Sequence, residues 1–76
     1  MIEAFVLIQT DVGTGAKVAR EIGSVPGVRL SQSVTGPYDV IARAANDDLD
    51  ALGALIDEIQ KIPGVTRTLT CPVIKV

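Results

Sequence analysis

The 76-residue chain contains no histidine and no tryptophan, a single cysteine, one phenylalanine and one tyrosine. Each scarcity removes a class of function. Histidine is the side chain that titrates near neutrality, so its usual role as general base is vacant, and no Ser or Cys stands in a recognisable nucleophile setting. The expectation is therefore a protein that is not an enzyme. One cysteine builds neither a zinc centre nor a disulfide framework, and no metal or other cofactor is expected. Seven Lys and Arg face nine Asp and Glu, for a formal charge of −2, and the basic residues are scattered. Non-specific nucleic-acid binding rests on neutralising several phosphates together, so direct DNA binding by this chain is not expected. The apolar start Ile2-Glu3-Ala4-Phe5-Val6-Leu7-Ile8 lacks a basic lead and is too short to span a bilayer. No membrane role is expected, and with the lone Cys71 the expected location is cytoplasmic.

What the chain has is aliphatic bulk. It is 47% hydrophobic with few aromatics, so its interior must be packed from Val, Ile, Leu and Ala. Residues 1–76 are expected to form a single domain, near the lower size limit for a self-sufficient core, and association with further copies is the natural way to complete it.

An internal repeat organises the sequence. Val25-Pro26-Gly27-Val28 recurs as Ile62-Pro63-Gly64-Val65, an offset of 37 residues. The register extends outward: Ile22 matches Ile59, Ala19 matches Ile56, and Ser31 and Ser33 fall on Thr68 and Thr70. Each half reads as strand, helix, Pro-Gly turn, strand. Two such units give an α+β, ferredoxin-like βαββαβ fold with an antiparallel four-stranded sheet. Strand one is expected over about Ile2–Gln9, and helix one over about Gly15–Ser24, with Thr14 as N-cap and Val18, Ala19 and Ile22 on its buried face. Strand two is expected over about Val28–Val34 and strand three over about Tyr38–Ala45. Asn46 or Asp47 is expected to cap helix two, whose apolar stripe reads Leu49, Leu52, Leu55, Ile56 and Ile59. Strand four is expected over about Val65–Cys71. Pro72 withholds a ladder donor and so marks an edge strand or a bulge, and Val73-Ile74-Lys75-Val76 extends past it.

The strands are apolar on both faces. In strand one, Ala4, Val6 and Ile8 point one way and Phe5 and Leu7 the other; in strand three, Val40 and Ala42 oppose Ile41 and Ala45. Two helices cover one face of a four-stranded sheet. The second face needs apolar cover, and the sheet of another subunit would supply it in a dimer.

Two features stand out as candidate sites. The first is the break Thr35-Gly36-Pro37-Tyr38-Asp39 between strands two and three. A glycine there lets the backbone approach a ligand, its N–H is available to an anion, and Asp39 could hold an ammonium. A plain tight turn, with Asp39 bonded to its own backbone, accounts for the same residues. The second is the pair of hydroxyl rows: Ser31, Ser33 and Thr35 on strand two, and Thr66, Thr68 and Thr70 on strand four. They would suit the carboxylate and amine of a small polar ligand, although threonine also suits the wet face of any strand. The acidic run Asp47, Asp48 and Asp50 reads as a helix start favoured by the helix dipole. Gly13-Thr14-Gly15-Ala16-Lys17 lacks the spacing of a phosphate loop.

Taken in order, Ala4-Phe5-Val6-Leu7, then Val34-Thr35-Gly36-Pro37-Tyr38-Asp39-Val40, then Ile62-Pro63-Gly64-Val65-Thr66-Arg67-Thr68-Leu69-Thr70 resemble the effector-binding RAM domain of Lrp/AsnC-family transcription regulators. The likeness covers essentially the whole chain, and the Thr-Gly-x-Tyr-Asp turn is its most specific part. Family members usually carry a helix-turn-helix ahead of this domain, whereas here Met1 leads straight into strand one, so a stand-alone RAM protein is the expectation. The resemblance implies a dimeric α+β barrel arrangement, dimers joined into an octameric or similar ring, and amino-acid effectors in clefts between dimers. By motif it places ligand contacts at Gly36, Tyr38 and Asp39, with Thr35 and Pro37 as neighbours, and at Thr68 and Thr70 from another subunit. Co-assembly with full-length Lrp/AsnC regulators is a further implied partnership. Two other readings stay open: a small dimeric α+β barrel enzyme resembling a monooxygenase, and a purely structural oligomer.

Overall fold

A computed structural model describes residues 1–74. Its elements run β1 (Ile2–Thr10), α1 (Gly15–Gly23), β2 (Val28–Ser33), β3 (Val40–Asn46), α2 (Leu49–Gln60) and β4 (Val65–Pro72). The strands form one antiparallel sheet in the order β2-β3-β1-β4, the ferredoxin-like arrangement that the repeat implies. Both central strands belong to the sequence's most apolar runs. β4 lies at an edge, where the missing N–H of Pro72 costs no ladder bond, and the sheet's irregularity beside β4 falls at the far end, between Gln9 and Thr10. Val73 continues past Pro72 by donating its N–H to the Glu3 carbonyl at 2.8 Å. The expected extension through Lys75 and Val76 lies outside the described residues.

The Pro-Gly motif explains why the two halves fold alike. In each, the N–H of the last residue bonds the carbonyl of the first, Val28 to Val25 at 3.1 Å and Val65 to Ile62 at 3.2 Å. Proline presets the second position and glycine supplies the positive φ of the third, the signature of a type II turn. Gly27 has φ +96° and Gly64 has φ +100°. Each glycine also lies tight against the opposite unit. A Cβ on Gly27 would come within 2.8 Å of Leu55 Cδ1, and one on Gly64 within 3.0 Å of Val18 Cγ2. Val18 and Leu55 are themselves matched by the 37-residue offset, so the contacts are related by an approximate two-fold. The glycine carbonyls complete the exchange, Gly27 accepting from Ala45 N–H and Gly64 from Asp11 N–H.

Between sheet and helices lies an aliphatic core. Ala4, Val6 and Ile8 of β1, Val40, Ala42 and Ala44 of β3, Val18 and Ile22 of α1, and Ile59 of α2 have no exposed surface, with Leu52 and Leu55 nearly as buried. Neither aromatic joins it: Phe5 is on the other face and Tyr38 is half-buried in the turn before β3. Three local expectations need correction. Asp48, rather than Asn46 or Asp47, caps α2, accepting from Ala51 N–H at 2.8 Å. Leu49 therefore becomes the first helical residue and faces outward, 66% exposed, instead of joining the stripe. β3 begins at Val40, which leaves Tyr38 and Asp39 in the connection.

Candidate functional site

The turn after β2 wraps the carboxyl end of β1. Asp39 anchors it through backbone and side chain together. Its N–H donates to the Ile8 carbonyl and its carbonyl accepts from Val34 N–H, both at 2.9 Å. Its Oδ2 accepts from Thr10 N–H at 2.8 Å, where the β1–β4 ladder loses register. Asp39 thus bonds a backbone group 29 residues away, neither its own turn nor a free carboxylate. Oδ1 takes no part in that bond. Gln9 Nε2 also reaches the turn, donating to the Pro37 carbonyl at 3.0 Å. The tip itself is open: Thr35, Gly36 and Pro37 are exposed. Gly36 has φ +140°, and a Cβ there would touch nothing within 4 Å, so backbone geometry and not space makes glycine the suitable residue. A shallow depression lined by Ser33, Val34 and Thr35 sits beside this tip, open to solvent.

Thr68 and Thr70 occupy another place. They pair with Ile8 and Val6, whose side chains are buried under the helices, so both hydroxyls rise from the helix-covered face. Both are half-buried. Thr68 Oγ1 accepts a hydrogen bond from Gln60 Nε2, at the last residue of α2, at 2.9 Å. Thr68, Ile8 and Val40 lie in one cross-strand row, which separates the Thr68 backbone from the start of β3 by two strand spacings, about 10 Å. One chain therefore collects Thr35, Gly36, Pro37, Tyr38 and Asp39 at one place and holds Thr68 and Thr70 at another.

The other sheet face is the uncovered one. Two cross-strand rows define it, Gln32–Ile41–Leu7–Leu69 and Leu30–Arg43–Phe5–Cys71. Phe5, Leu30 and Leu69 are 42%, 41% and 44% exposed. Among the described residues one ion pair interrupts them, Arg43 Nη1 to Glu3 Oε1 at 3.2 Å.

Two residues of this neighbourhood escaped the sequence reading, Gln9 and Gln60. Gln60 left a trace in the repeat: at an offset of 37 it replaces Gly23, and a Cβ on Gly23 would sit 3.7 Å from the Cβ of Ser31, the counterpart of Thr68. Gln9 left none, because its bond spans 28 residues. Among the described residues, no group of three or more His, Cys, Asp and Glu side chains is placed to hold a metal ion, and no helix is long and apolar enough to cross a membrane.

Fold and turn together define a class: a ferredoxin-like α+β module with one bare apolar sheet face. Comparison with known proteins narrows it. The family model for the Lrp/AsnC ligand-binding domain matches residues 3–76, and the chain belongs to that family. It is 31% identical, over 68 residues, to the HTH-type transcriptional regulator LysM of Saccharolobus solfataricus, a match that covers 88% of this chain and 48% of the regulator. It is 33% identical, over 76 residues, to a homocitrate synthase of Sulfurisphaera tokodaii, covering 97% of this chain but only 16% of the enzyme. The chain thus spans half or less of these curated relatives. The crystal structure of TTHA0845 from Thermus thermophilus superposes with a TM-score of 0.93 at 34% identity, covering 100% of this chain and 96% of that one. HTH-type transcriptional regulators are prominent among the relatives, alongside homocitrate synthases, and the family's domain is a ligand-binding domain of Lrp/AsnC regulators. The partial match to a synthase carries no enzymatic assignment, because so small a share of that enzyme is involved.

Proposed function

We propose that residues 1–76 act as one amino-acid-binding, self-associating domain in transcriptional regulation, with effector held in clefts between dimers. The observation that carries this reading is the division of the candidate site. The turn at Thr35–Asp39 and the hydroxyls of Thr68 and Thr70 are separated in one chain by the width of β1, so a ligand touching both sets needs a second copy to supply one of them. In this arrangement Gly36 and the adjacent N–H groups meet the α-carboxylate, the unengaged Oδ1 of Asp39 takes the α-ammonium, and Thr68 and Thr70 arrive from a neighbour to complete the cage. Thr35, Pro37 and Tyr38 shape the rim.

Association begins at the bare sheet face, where Phe5, Leu7, Leu30, Ile41 and Leu69 pack against a second copy to give the dimeric α+β barrel arrangement; rings of dimers, octameric or similar, follow. Effector changes the assembly only to the extent that it binds one assembly better than another. Co-assembly with full-length Lrp/AsnC regulators would connect this binding to transcription. The family's regulatory role favours this reading over a barrel enzyme, and the site's location is the cytoplasm.

Light scattering combined with a thermal-shift screen of the twenty standard L-amino acids tests it. A ring-sized particle stabilised by at least one amino acid is the expected result. A monomer at micromolar concentration, or no stabilisation by any of the twenty, would sink the proposal. Leu69→Glu is expected to break the association by placing a charge in the sheet face.

A further inference from the structure

The repeat matches the buried residues of the two helices and not their charges. At an offset of 37, Val18 falls on Leu55 and Ile22 on Ile59, whereas Lys17 falls on Ala54 and Arg20 on Asp57. The outer surface of α1 carries Lys17 and Arg20, one turn apart and exposed, with Glu21 half-buried beside them. That of α2 presents Asp50, Gly53, Ala54 and Asp57, all exposed and spaced so that they share one stripe. Its two carboxylates stand about 10 Å apart along the helix axis, at about 1.5 Å of rise per residue. On the stripe between them nothing is longer than a methyl group. A Cβ on Gly53 would meet nothing within 4 Å, so packing within the chain gives no reason for a residue that weakens a helix interior. Glu58 is taken by Lys61 at 3.6 Å. Among the described residues Lys17, Arg20, Asp50 and Asp57 form no ion pair, although both helices cover the same face of the sheet.

We infer that the partner of this helix layer is a second copy of the chain, with α1 of one copy lying along α2 of the next. Lys17 and Arg20 then pass over the gap at Gly53 and Ala54, and their ends reach the carboxylates on either side. The short residues let the helices approach closely, so the aliphatic stems pack while the charges pair. The contact is head to tail, because each copy gives α1 to one neighbour and α2 to another. Such contacts close into rings or run on as filaments. This one uses neither the bare sheet face nor the turn and threonines of the candidate site. It rests on the dimer-and-ring reading above in one respect, naming the surface by which dimers join. A lone exposed ion pair contributes little. Here two pairs form together, and a sheet-paired dimer offers each helix twice, so the contacts add through effective concentration.

Sedimentation of the full chain at two ionic strengths tests it. Charges act over about 10 Å in about 0.1 M salt and over about 3 Å in about 1 M. The wild type is expected to sediment as a particle larger than a dimer at the lower ionic strength and as a dimer at the higher. Lys17→Glu/Arg20→Glu should stop at the dimer in both, and so should Asp50→Lys/Asp57→Lys; the surviving dimer reports an intact fold. A chain carrying all four changes has the wild-type net charge and again sets opposite charges across the contact. It is expected to recover the larger particle and its salt dependence, which separates pairing of these helices from an effect of net charge. Gly53→Gln should raise the Tm, glutamine being the better helix former, yet favour the dimer by filling the gap. A larger particle that survives high salt or either double reversal, or a four-change chain that stays dimeric, overturns the assignment and leaves the ring reading in place. A wild type that is dimeric at both ionic strengths overturns it together with the rings, while the sheet-paired dimer stands.

Discussion

The first and second βαβ units close on the same turn and spend their polar groups differently. Both Pro-Gly turns present a glycine near φ +100° to the opposite helix, and both offer a carbonyl to the N–H of an opposite strand end. These shared features are the ones that shape the core. The differences lie at the helix ends and on the outer strands. α1 has Thr14 at its N-cap position, but the Thr14 hydroxyl donates to the Asp11 carbonyl and leaves the helix uncapped. α2 is capped by Asp48. Ser31 bonds a backbone carbonyl of α1, whereas Thr68 bonds a side chain at the end of α2. Duplicated packing with diverged polar contacts is what selection on a fold and on a site would each leave behind.

Breaking the comparison at its deepest point has the largest expected effect. Ile22 and Ile59 are matched and fully buried. Truncating either to alanine should cost about 2–5 kcal/mol, and the two losses should be similar if the halves carry the core equally. Chemical denaturation at one fixed protein concentration measures this, the concentration being held because association adds to apparent stability. Gly27→Ala and Gly64→Ala come next. Both force a side chain into positive φ, for a loss above about 1 kcal/mol each. Gly27 should suffer more, since its Cβ meets Leu55 and Asn46 at 2.8 Å against 3.0 Å for the nearest atom to Gly64. Equal losses would mean that Leu55 yields more easily than the static packing implies.

Two smaller effects sharpen the asymmetry. Asp48→Ala should remove about 1 kcal/mol of helix capping, and Thr14→Ala clearly less, because only the aspartate accepts from its helix. Thermal unfolding of the two variants side by side decides it. Ser31→Ala should lower stability by about 1 kcal/mol through the lost bond to Ala19, whereas Thr68→Val should change it by less than about 0.5 kcal/mol. If Thr68→Val proves the more damaging, its hydroxyl is a structural group, and its place in the binding site is in doubt.

Asp39 shows how a candidate site residue can also hold the fold. Its Oδ2 satisfies Thr10 N–H where the sheet loses register, so removing the side chain disturbs the end of β1 as well as any ligand contact. Asp39→Asn, which keeps an acceptor oxygen while removing the charge, isolates the binding role better than alanine. Nothing local to the Thr-Gly-Pro-Tyr-Asp stretch announces this bond, because its partner lies 29 residues earlier.

The sequence by itself determined the element order, the sheet class, the aliphatic core and the existence of the central turn. Those follow from spacing within a few residues: alternation in strands, three-to-four periodicity in helices, proline and glycine at turns. It also carried the family's motif in readable form. Tertiary structure alone decided which face the threonines occupy, which glutamine reaches which hydroxyl and where Asp39 spends its carboxylate. These depend on sheet register and on how the helices dock over it, which bring side chains from separate elements within reach or leave them out of it. A register is fixed only when the whole apolar face is buried at once.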